Sequence, residues 1–425
     1  MNHARKKILF HLPVPLKPLY YGTQRRLLGI LKYFNDRKDF ISVDAVAANQ
    51  FGDTWVNPRW DTEQTQEALN FIDNVFVYEG KYNLYDLLYT RSKSWYYQKL
   101  LREQMPVDVD YYAPPGYVKF VNSLVTRNEY DFIWINTFNF AHLATDIKSN
   151  STHTIIDTHD LCCRLRVMMQ DIFPLQGLKF DYESNFLKEV KLLNKFHTII
   201  SDSNYELSVL APHLPSHKLQ SIPHPVDGLR YNSEQVSYQD RKFKYDLLFI
   251  GTRNPPNEDG IKFFLDSIFP RVVQVRPNTQ LAVAGKVCEV IQVDAHLNQN
   301  VKLLGYVPDI SELHLQSRLV ICPLLTGAGT KVKLIEAMSY SLPIVTTQTC
   351  ASALFLQDGI NALVTDDPVQ YANHVLSLLT DCQFAQKLSQ EVKKTFEQHY
   401  STPAIYSKLD ALFGIENCLS FKNDS

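Results

Sequence analysis

The chain has 425 residues, of which 45% are hydrophobic and 12% aromatic, and only 15 are glycine, where an average chain of this length carries about 30. This composition excludes collagen-like repeats and general disorder, and the length predicts two or three domains. With 43 basic and 45 acidic residues the formal charge is -2. A protein of this balance is not expected to bind nucleic acid over its whole surface.

The cysteines and the apolar runs indicate the compartment. The seven cysteines are odd in number and contain no CxxC pair, so neither a zinc site nor a disulfide framework is predicted. Prolines interrupt the first apolar run, and no stretch of about 18 apolar residues follows, so neither a signal peptide nor a membrane span is expected. The sequence predicts a cytoplasmic protein, with peripheral binding to the inner face of the membrane as an open alternative.

Short apolar runs rich in β-branched residues alternate with helical patterns along the chain. Nearly continuous hydrophobicity is typical of parallel strands that are buried on both faces, so the alternation predicts a doubly wound α/β fold. The predicted strands are Lys7–Leu12, Ser42–Ala47, Asn74–Tyr78, Asp131–Asn136, Thr154–Asp157, Thr198–Ser201, Asp246–Ile250, Gln280–Ala284, Val301–Leu304, Leu319–Pro323, Pro343–Thr346 and Ala362–Val364. The clearest predicted helices are Arg25–Phe34, Val118–Thr126, Phe186–Asn194, Gly260–Val273 and Val332–Met338.

The alternation restarts at Asp246, after a polar and charged stretch. This predicts an N-terminal domain at 1–228, a linker at 229–245 and a C-terminal domain at 246–400. The remaining segment, 401–425, is expected to contain a terminal helix.

One segment, Tyr82–Gln104, departs from the alternation because it is basic, aromatic and amphipathic. It is either a helix packed on the first domain with its basic face in solvent, or a helix that lies on an anionic membrane surface. The residues that would meet such a surface are Arg91, Lys93, Trp95, Lys99 and Arg102.

The loop after the predicted strand Leu319–Pro323 is glycine-rich and leads into a helix. In doubly wound sheets ligands bind at the carboxyl ends of the strands. The glycines would let the backbone approach a ligand, and the helix N-terminus, with a threonine as its predicted cap, would attract phosphate. The candidates for binding a nucleoside diphosphate here are Gly327, Gly329, Thr330, Lys331, Lys333 and Glu336. An ordinary capped helix with a solvated lysine–glutamate pair is the alternative.

Two common nucleotide motifs are absent from the sequence. GxxxxGK(S/T) does not occur, and GxGxxG does not follow the first predicted strand. The hypotheses of an ATPase and of a dehydrogenase therefore lose their usual support.

In the first half, polar residues follow the predicted strand Thr154–Asp157. The catalytic candidates there are Asp157, His159 and Asp160, with a buried structural histidine paired to Asp157, or a metal site, as alternatives. An acceptor- or phosphate-binding loop is predicted at Gly22, Thr23, Arg25, Arg26 and Arg164, where a solvated helix face is the alternative for the two adjacent arginines. Glu206 is interpreted as a solvated acid in the first turn of a helix.

At this point the sequence resembles a known family. GAGTKVKLIEAMSYSLPIV at Gly327–Val345, together with Gly251–Leu265, Gly305–Leu313 and Asp358–Val364, resembles the C-terminal half of GT-B glycosyltransferases of the large, mostly retaining, nucleotide-sugar-dependent family. The resemblance implies two Rossmann-like domains that face each other across a cleft. It also implies a donor site on the C-terminal domain, an acceptor site on the N-terminal domain, and a terminal helix that crosses back to the first domain.

The resemblance also implies roles for single residues. Lys333 and the amides of Gly329 and Thr330 would contact the diphosphate, Glu336 the ribose, and His159 the donor sugar. Many members carry an arginine–lysine pair after the first strand of this domain; Arg253 matches the arginine, whereas Asn257 stands near the lysine. A second family glutamate is replaced by Ala328. Tyr306 and Val307 would border the nucleoside base.

The function expected from the resemblance is transfer of a sugar, of the hexosyl type, from a nucleotide-sugar to a glycan or lipid-linked acceptor with retention, in polysaccharide or cell-envelope synthesis. No cofactor and no metal are expected besides the nucleotide-sugar co-substrate. A nucleotide-sugar 2-epimerase of the same fold and a non-catalytic nucleotide- or glycan-binding module are the alternatives.

Overall fold

The computed structural model describes residues 5–16, 22–49, 72–80, 83–145, 147, 151–173, 175–224, 238–327 and 329–415. The chain divides into two units, one formed by Met1–Asp227 with Tyr406–Ser425 and the other by Gly228–Ile405. Most of the predicted linker, 229–237, lies outside the described residues. Its last residue, Tyr245, already begins a strand of the second unit.

The first unit is built on a parallel sheet with the strand order β3-β2-β1-β4-β5-β6-β7 in the described residues. Its strands are β1 Lys6–His11, β2 Ile41–Ala48, β3 Asn74–Tyr78, β4 Phe132–Asn136, β5 His153–Asp157, β6 Thr198–Ser201 and β7 Leu219–Ser221. Phe10 and Trp134, on the adjacent strands β1 and β4, are fully buried. The strand order reverses between these two strands.

Helices pack around this sheet, and polar caps start several of them. They are α1 Gly22–Asp36, α2 Leu84–Ser94, α3 Pro115–Asn128, α4 Cys162–Met168, α5 Tyr182–Leu193 and α6 Asn204–Leu210. The side chains of Asn83, Asp181 and Ser203 each accept from an N–H three residues later. α2 continues as a π-helical turn, Trp95–Leu101, which ends at Arg102 in the left-handed conformation (φ 56°).

The second unit repeats this plan. Its parallel strands have the order β10-β9-β8-β11-β12-β13 and lack a counterpart of β7 among the described residues. They are β8 Tyr245–Ile250, β9 Leu281–Ala284, β10 Val301–Gly305, β11 Ser317–Cys322, β12 Ile344–Thr346 and β13 Leu363–Val364. Here the strand order reverses between β8 and β11. The predicted doubly wound α/β fold is confirmed, since both sheets have the Rossmann order.

The helices of the second unit are α7 Pro255–Phe263, α8 Phe269–Val275, α9 Ser311–Leu315, α10 Val332–Ser339, α11 Gln348–Ala351, α12 Pro368–Thr380 and α13 Cys382–His399. The prediction of one continuous α-helix at Gly260–Val273 is wrong. A π-helical turn, Phe264–Ile268, separates α7 from α8. Pro270 stands in the first turn of α8, where its missing N–H costs no helical hydrogen bond.

The last helix, α14 Thr402–Phe413, ends in the first unit. Asp410 accepts a hydrogen bond from the Tyr33 hydroxyl at 2.9 Å and two from the Arg37 guanidinium, both at 2.9 Å. The Phe413 ring lies 5.0 Å from the ring of Phe132 and 5.8 Å from that of Phe34, centroid to centroid. The end of the chain therefore completes the core of the first unit.

Among the helices in the described part of the chain, none combines the length and the apolar character needed to cross a membrane.

Candidate functional site

The strand-end loops of the second unit approach one another closely. The N–H of Gly251, after β8, donates to Ala284 at 2.9 Å, and the N–H of Gly285, after β9, donates to Gly305 at 2.6 Å. Gly285 has φ 101°, and a Cβ there would collide with the carbonyl oxygen of Gly251. Glycine is therefore required where these loops meet, beside the point at which the strand order reverses.

The glycine-rich loop after β11 differs from its predicted form. α10 begins at Val332, and Lys331 occupies the N-cap position without a side-chain cap, so the predicted cap by Thr330 is wrong. The Lys331 ammonium turns back and donates to the carbonyl oxygens of Gly327 and Gly329, each at 3.1 Å. Both glycines have positive φ, 128° and 70°. Ala328, between them, lies outside the described residues.

Lys333, the second residue of α10, lies at the end of β8. Its ammonium donates to the Asn257 side-chain oxygen at 2.5 Å and lies 4.8 Å from the centre of the Phe249 ring. The amide of Asn257 is fixed in turn, because its nitrogen donates to the carbonyl of Thr252 at 2.9 Å. Burial lowers the pKa of Lys333. Within the described ranges no carboxylate comes within 4.0 Å of this ammonium, so its partners are neutral and an anion would stabilise it.

The other predicted donor residues differ in their exposure to solvent. Glu336, on the same helix, is only 7% exposed and has a partner of its own. Tyr306 is 74% exposed, and Val307 beside it is half-buried. Arg253 is exposed and lies 3.9 Å from Glu258 and 3.8 Å from Glu289, so it forms two long surface ion pairs.

In the first unit the charged residues at the strand ends are paired with each other. Arg26 is buried, donates from Nε to Asp157 Oδ2 at 2.8 Å and from Nη2 to the carbonyl of Ile222 at 3.1 Å, and lies 4.0 Å from Asp202. Burial by itself lowers the pKa of Arg26, but the two carboxylates more than compensate and raise it. Neither predicted role, an exposed phosphate site or a solvated helix face, fits Arg26. Arg25, its neighbour, is exposed.

The same pairing changes the interpretation of Asp157. Its side chain is fully buried at the end of β5 and holds the guanidinium of Arg26. A carboxylate with this partner positions α1 against the sheet, and the catalytic role of Asp157 stays a prediction. Gly22 and Thr23, predicted in a loop, are the first two residues of α1. Gly22 is exposed and its carbonyl accepts from His224 at 3.1 Å, while Thr23 is half-buried.

His159 has a backbone conformation that is uncommon for a residue with a side chain. Its φ is 61°, in the left-handed region. Its Nε2 lies 3.2 Å from Asn136 Oδ1, and Asn136 donates from Nδ2 to the carbonyl of His11 at 2.6 Å. The amide oxygen therefore accepts from His159 Nε2–H. Burial lowers the pKa of His159, although Asp157, 3.9 Å away, opposes this, so the imidazole is neutral.

The first unit also contains a buried carboxylate whose environment the sequence did not indicate. Glu206 is fully buried and accepts from the N–H of Leu161 at 3.0 Å and from the hydroxyl of Ser201 at 3.3 Å. Burial, reinforced by the charge of Asp160, raises its pKa to about 8. The interpretation of Glu206 as a solvated acid is wrong. Arg164 lies over the ring of Tyr205, 4.3 Å from its centre.

A metal site at these strand ends would need several ligating side chains close together in the described residues. They contain no group of three or more histidine, cysteine, aspartate and glutamate side chains arranged to hold a metal ion.

Comparison with known proteins finds a family model that matches part of the second unit. The family model "Glycosyl transferases group 1" matches residues 244–381. This segment is similar to the family over about a third of the chain. It contains Gly251, Gly285 and Lys333.

Solved structures extend the similarity of fold to nearly the whole chain. HepE from Anabaena, solved with UDP and glucose, is 17% identical, with 96% of this chain and 100% of that chain covered and a TM-score of 0.62. A variant of S. aureus TarM, solved with fondaparinux, α-GlcNAc-glycerol and UDP, is 13% identical, with 96% and 99% covered and a TM-score of 0.60. The chain therefore has the GT-B fold.

A curated relative is known from Klebsiella pneumoniae, an uncharacterized 44.6 kDa protein in the cps region. It is 22% identical over 184 residues, which are 39% of this chain. The aligned part spans 47% of that protein, about half its length.

Strand topology accounts for the site residues that sequence reasoning missed. His11 and Asn136 end β1 and β4. They were not selected because they stand alone in the sequence, without a motif around them. Parallel strands bring their carboxyl ends to one edge, so the last polar residue of each strand was the signal.

The residues predicted to face a membrane are not all equivalent. Arg91, Trp95, Lys99 and Arg102 are exposed. Lys93 is not part of the outer surface, because its ammonium contacts Asp110 and donates to the Tyr89 hydroxyl at 2.7 Å.

Proposed function

We propose that this protein transfers a sugar from a UDP-sugar to a glycan or lipid-linked acceptor. Two comparisons support the donor class: the glycosyltransferase family match at residues 244–381, and HepE, a protein of the same fold that was solved with UDP and with UDP-glucose. A donor of the hexosyl type and a role in capsule or envelope glycan synthesis are part of the proposal. The Klebsiella relative in the cps region supports that role.

The observation that carries the proposal is the environment of Lys333. Its ammonium is held by the neutral amide of Asn257, at the reversal of the strand order and beside two glycines with positive φ. A diphosphate bound there would receive a charge-assisted hydrogen bond from Lys333 and would be attracted by the positive end of the α10 dipole. Lys331 could exchange its two carbonyl partners for phosphate oxygens.

The same groups would assist the chemistry. When the bond between the sugar and the diphosphate breaks, negative charge grows on the leaving phosphate. Cations and N–H groups that are already in place stabilise this charge without reorganising. We propose that Lys333 is the main contributor because burial leaves it few competing partners.

On the acceptor side we propose that His159 faces the reacting sugar through its backbone carbonyl. Its Nε2–H is already used by Asn136, and its left-handed φ directs the main chain away from the strand direction. Retention of the anomeric configuration is part of this proposal. It is supported by Asp157, whose pairing with Arg26 makes it unavailable as the base that an inverting reaction needs.

The test is the binding of UDP to the protein. Calorimetry measures the affinity in a titration, and thermal unfolding measures the stabilisation by bound UDP. UDP at about 100 times its dissociation constant should stabilise the protein by about 2.7 kcal/mol. In Lys333→Met the affinity should fall by about 10- to 100-fold, because one charge-assisted hydrogen bond is lost. Lys302→Met removes an exposed lysine from β10 of the same unit and is the matched control.

The outcomes separate the hypotheses. UDP binding that is equal in Lys333→Met and Lys302→Met would contradict the assigned site. Incubation with UDP-sugars alone distinguishes the activity: an epimerised sugar nucleotide would indicate a 2-epimerase, and binding without turnover on any acceptor would indicate a binding module. The anomeric configuration of the product, read by NMR, tests retention.

A further inference from the structure

α2 and the π-helical turn that follows it have an unusual distribution of side chains. The polar residues of α2 face the protein: Asp86 is buried and accepts from the Tyr78 hydroxyl at 2.7 Å and from the N–H of Gly116 at 3.0 Å. Thr90 is buried as well, and Lys93 contacts Asp110. The large apolar residues face the opposite way.

These apolar residues form one continuous exposed strip, which we call the outer face of α2. Leu84, Leu88, Trp95 and Leu100 are 68%, 59%, 60% and 58% exposed. Their spacing of four, seven and five residues places them along one side of an α-helix that ends in a π-helical turn. Single exposed apolar residues are ordinary, but a contiguous row on a helix indicates an interaction surface.

The charges on the outer face have one sign. Arg91 and Lys99 are exposed between the apolar residues, and Arg102 follows at the end of the turn. The only acid in Leu84–Arg102 is Asp86, which is buried on the opposite side. Two copies of this face against each other would bring arginine and lysine onto arginine and lysine. The pattern therefore disfavours a second copy as the occupant and favours a surface that is both apolar and anionic.

We infer that the outer face of α2 docks the protein on an anionic phospholipid surface. The leucines and Trp95 would enter the boundary between headgroups and acyl chains, where indole is favoured, and the basic residues would contact lipid phosphates. The buried hydrogen bonds of Asp86 hold the helix against the first unit, so the helix would bind the surface without leaving that unit. This inference does not depend on sugar transfer.

The test is sedimentation of the full-length protein with vesicles. We expect binding to vesicles of phosphatidylglycerol and phosphatidylcholine, weakening as salt is added, and little binding to phosphatidylcholine alone. Leu88→Ser combined with Trp95→Ser should weaken binding by about 100-fold. Arg91→Ser combined with Lys99→Ser should weaken it by about fivefold per charge at low salt.

Leu187→Ser combined with Lys191→Ser is the matched control, since both residues are exposed on α5 of the same unit, and it should bind as the unaltered chain does. Unchanged thermal unfolding and UDP affinity would show that the variants are folded. Absence of binding to anionic vesicles at low salt would overturn the inference. An equal loss of vesicle binding in the control variant would also overturn it. So would a concentration-dependent dimer that is absent in Leu88→Ser with Trp95→Ser, because a second copy would then occupy this face. A chain that binds vesicles but not UDP would keep this inference and lose the proposed function.

Discussion

The two units have the same strand order but treat the charges at their strand ends in opposite ways. In the first unit Arg26 is buried between Asp157 and Asp202, so its charge is neutralised within the fold. In the second unit the Lys333 ammonium donates to the amide oxygen of Asn257. A charge that is already paired stabilises the fold, whereas a cation with neutral partners remains available to an anion. The comparison therefore supports the proposal that a diphosphate binds to the second unit.

The largest expected effect is on the paired charges of the first unit. Arg26→Met leaves Asp157 buried without its cation, and removing one partner of a buried ion pair costs about 3–5 kcal/mol of stability. We expect a large fall in the midpoint of thermal unfolding. Arg25→Met, at the exposed neighbouring position, should change it little. If the two variants unfold alike, the contrast between the units is not correct.

The next effect is a loss of stability in acid, from a histidine at the end of β1. Burial lowers the pKa of His11 from 6.5 to about 3, although its hydrogen bond to the Asn136 carbonyl opposes this. The unfolded chain therefore binds a proton between about pH 6.5 and pH 3 that the folded chain does not. Stability that is fully present above the unfolded pKa is lost as the pH falls, by about 2 kcal/mol at pH 5.

Urea unfolding at neutral pH and at about pH 5 measures this loss. In His11→Gln the dependence on pH should decrease by about one proton, whereas His217→Gln, at an exposed position of the same unit, should keep it. An unchanged slope in His11→Gln would mean that His11 is not protonated on unfolding in this range.

The smallest effect is expected for the exposed cation of the second unit. Arg253 makes two ion pairs longer than 3.7 Å with exposed or half-buried glutamates. Arg253→Ala should therefore change the free energy of unfolding by less than about 1 kcal/mol, as measured by urea unfolding. A larger loss of unfolding free energy would show that cations of both units stabilise the fold. The contrast between the strand-end charges of the two units would then be weaker.

The predicted strands of both sheets were found because buried parallel strands are almost continuously apolar, so their signal does not depend on distant contacts. Each of the twelve predicted runs contains or overlaps an observed strand, as Asn74–Tyr78 and Thr198–Ser201 illustrate. β7, Leu219–Ser221, was missed because it is short and only partly buried.

The site was less predictable, because burial of polar residues depends on contacts that are far apart in the sequence. Arg26 and Asp157 are separated by 131 positions, and nothing in either segment indicates that they meet. The position of Lys333 on a helix after a glycine loop was visible in the sequence. Its partner Asn257, 76 positions away, was selected only by resemblance.

The position of α14 has a consequence for synthesis on the ribosome. The strands of the first unit are translated before the second unit. Phe413 and Asp410 are translated only after it. These two residues contact Phe34, Tyr33 and Arg37. Domains usually fold in the order in which they emerge. In this protein the unit made first is completed last, so the nascent chain must carry an exposed aromatic surface until its final helix is made.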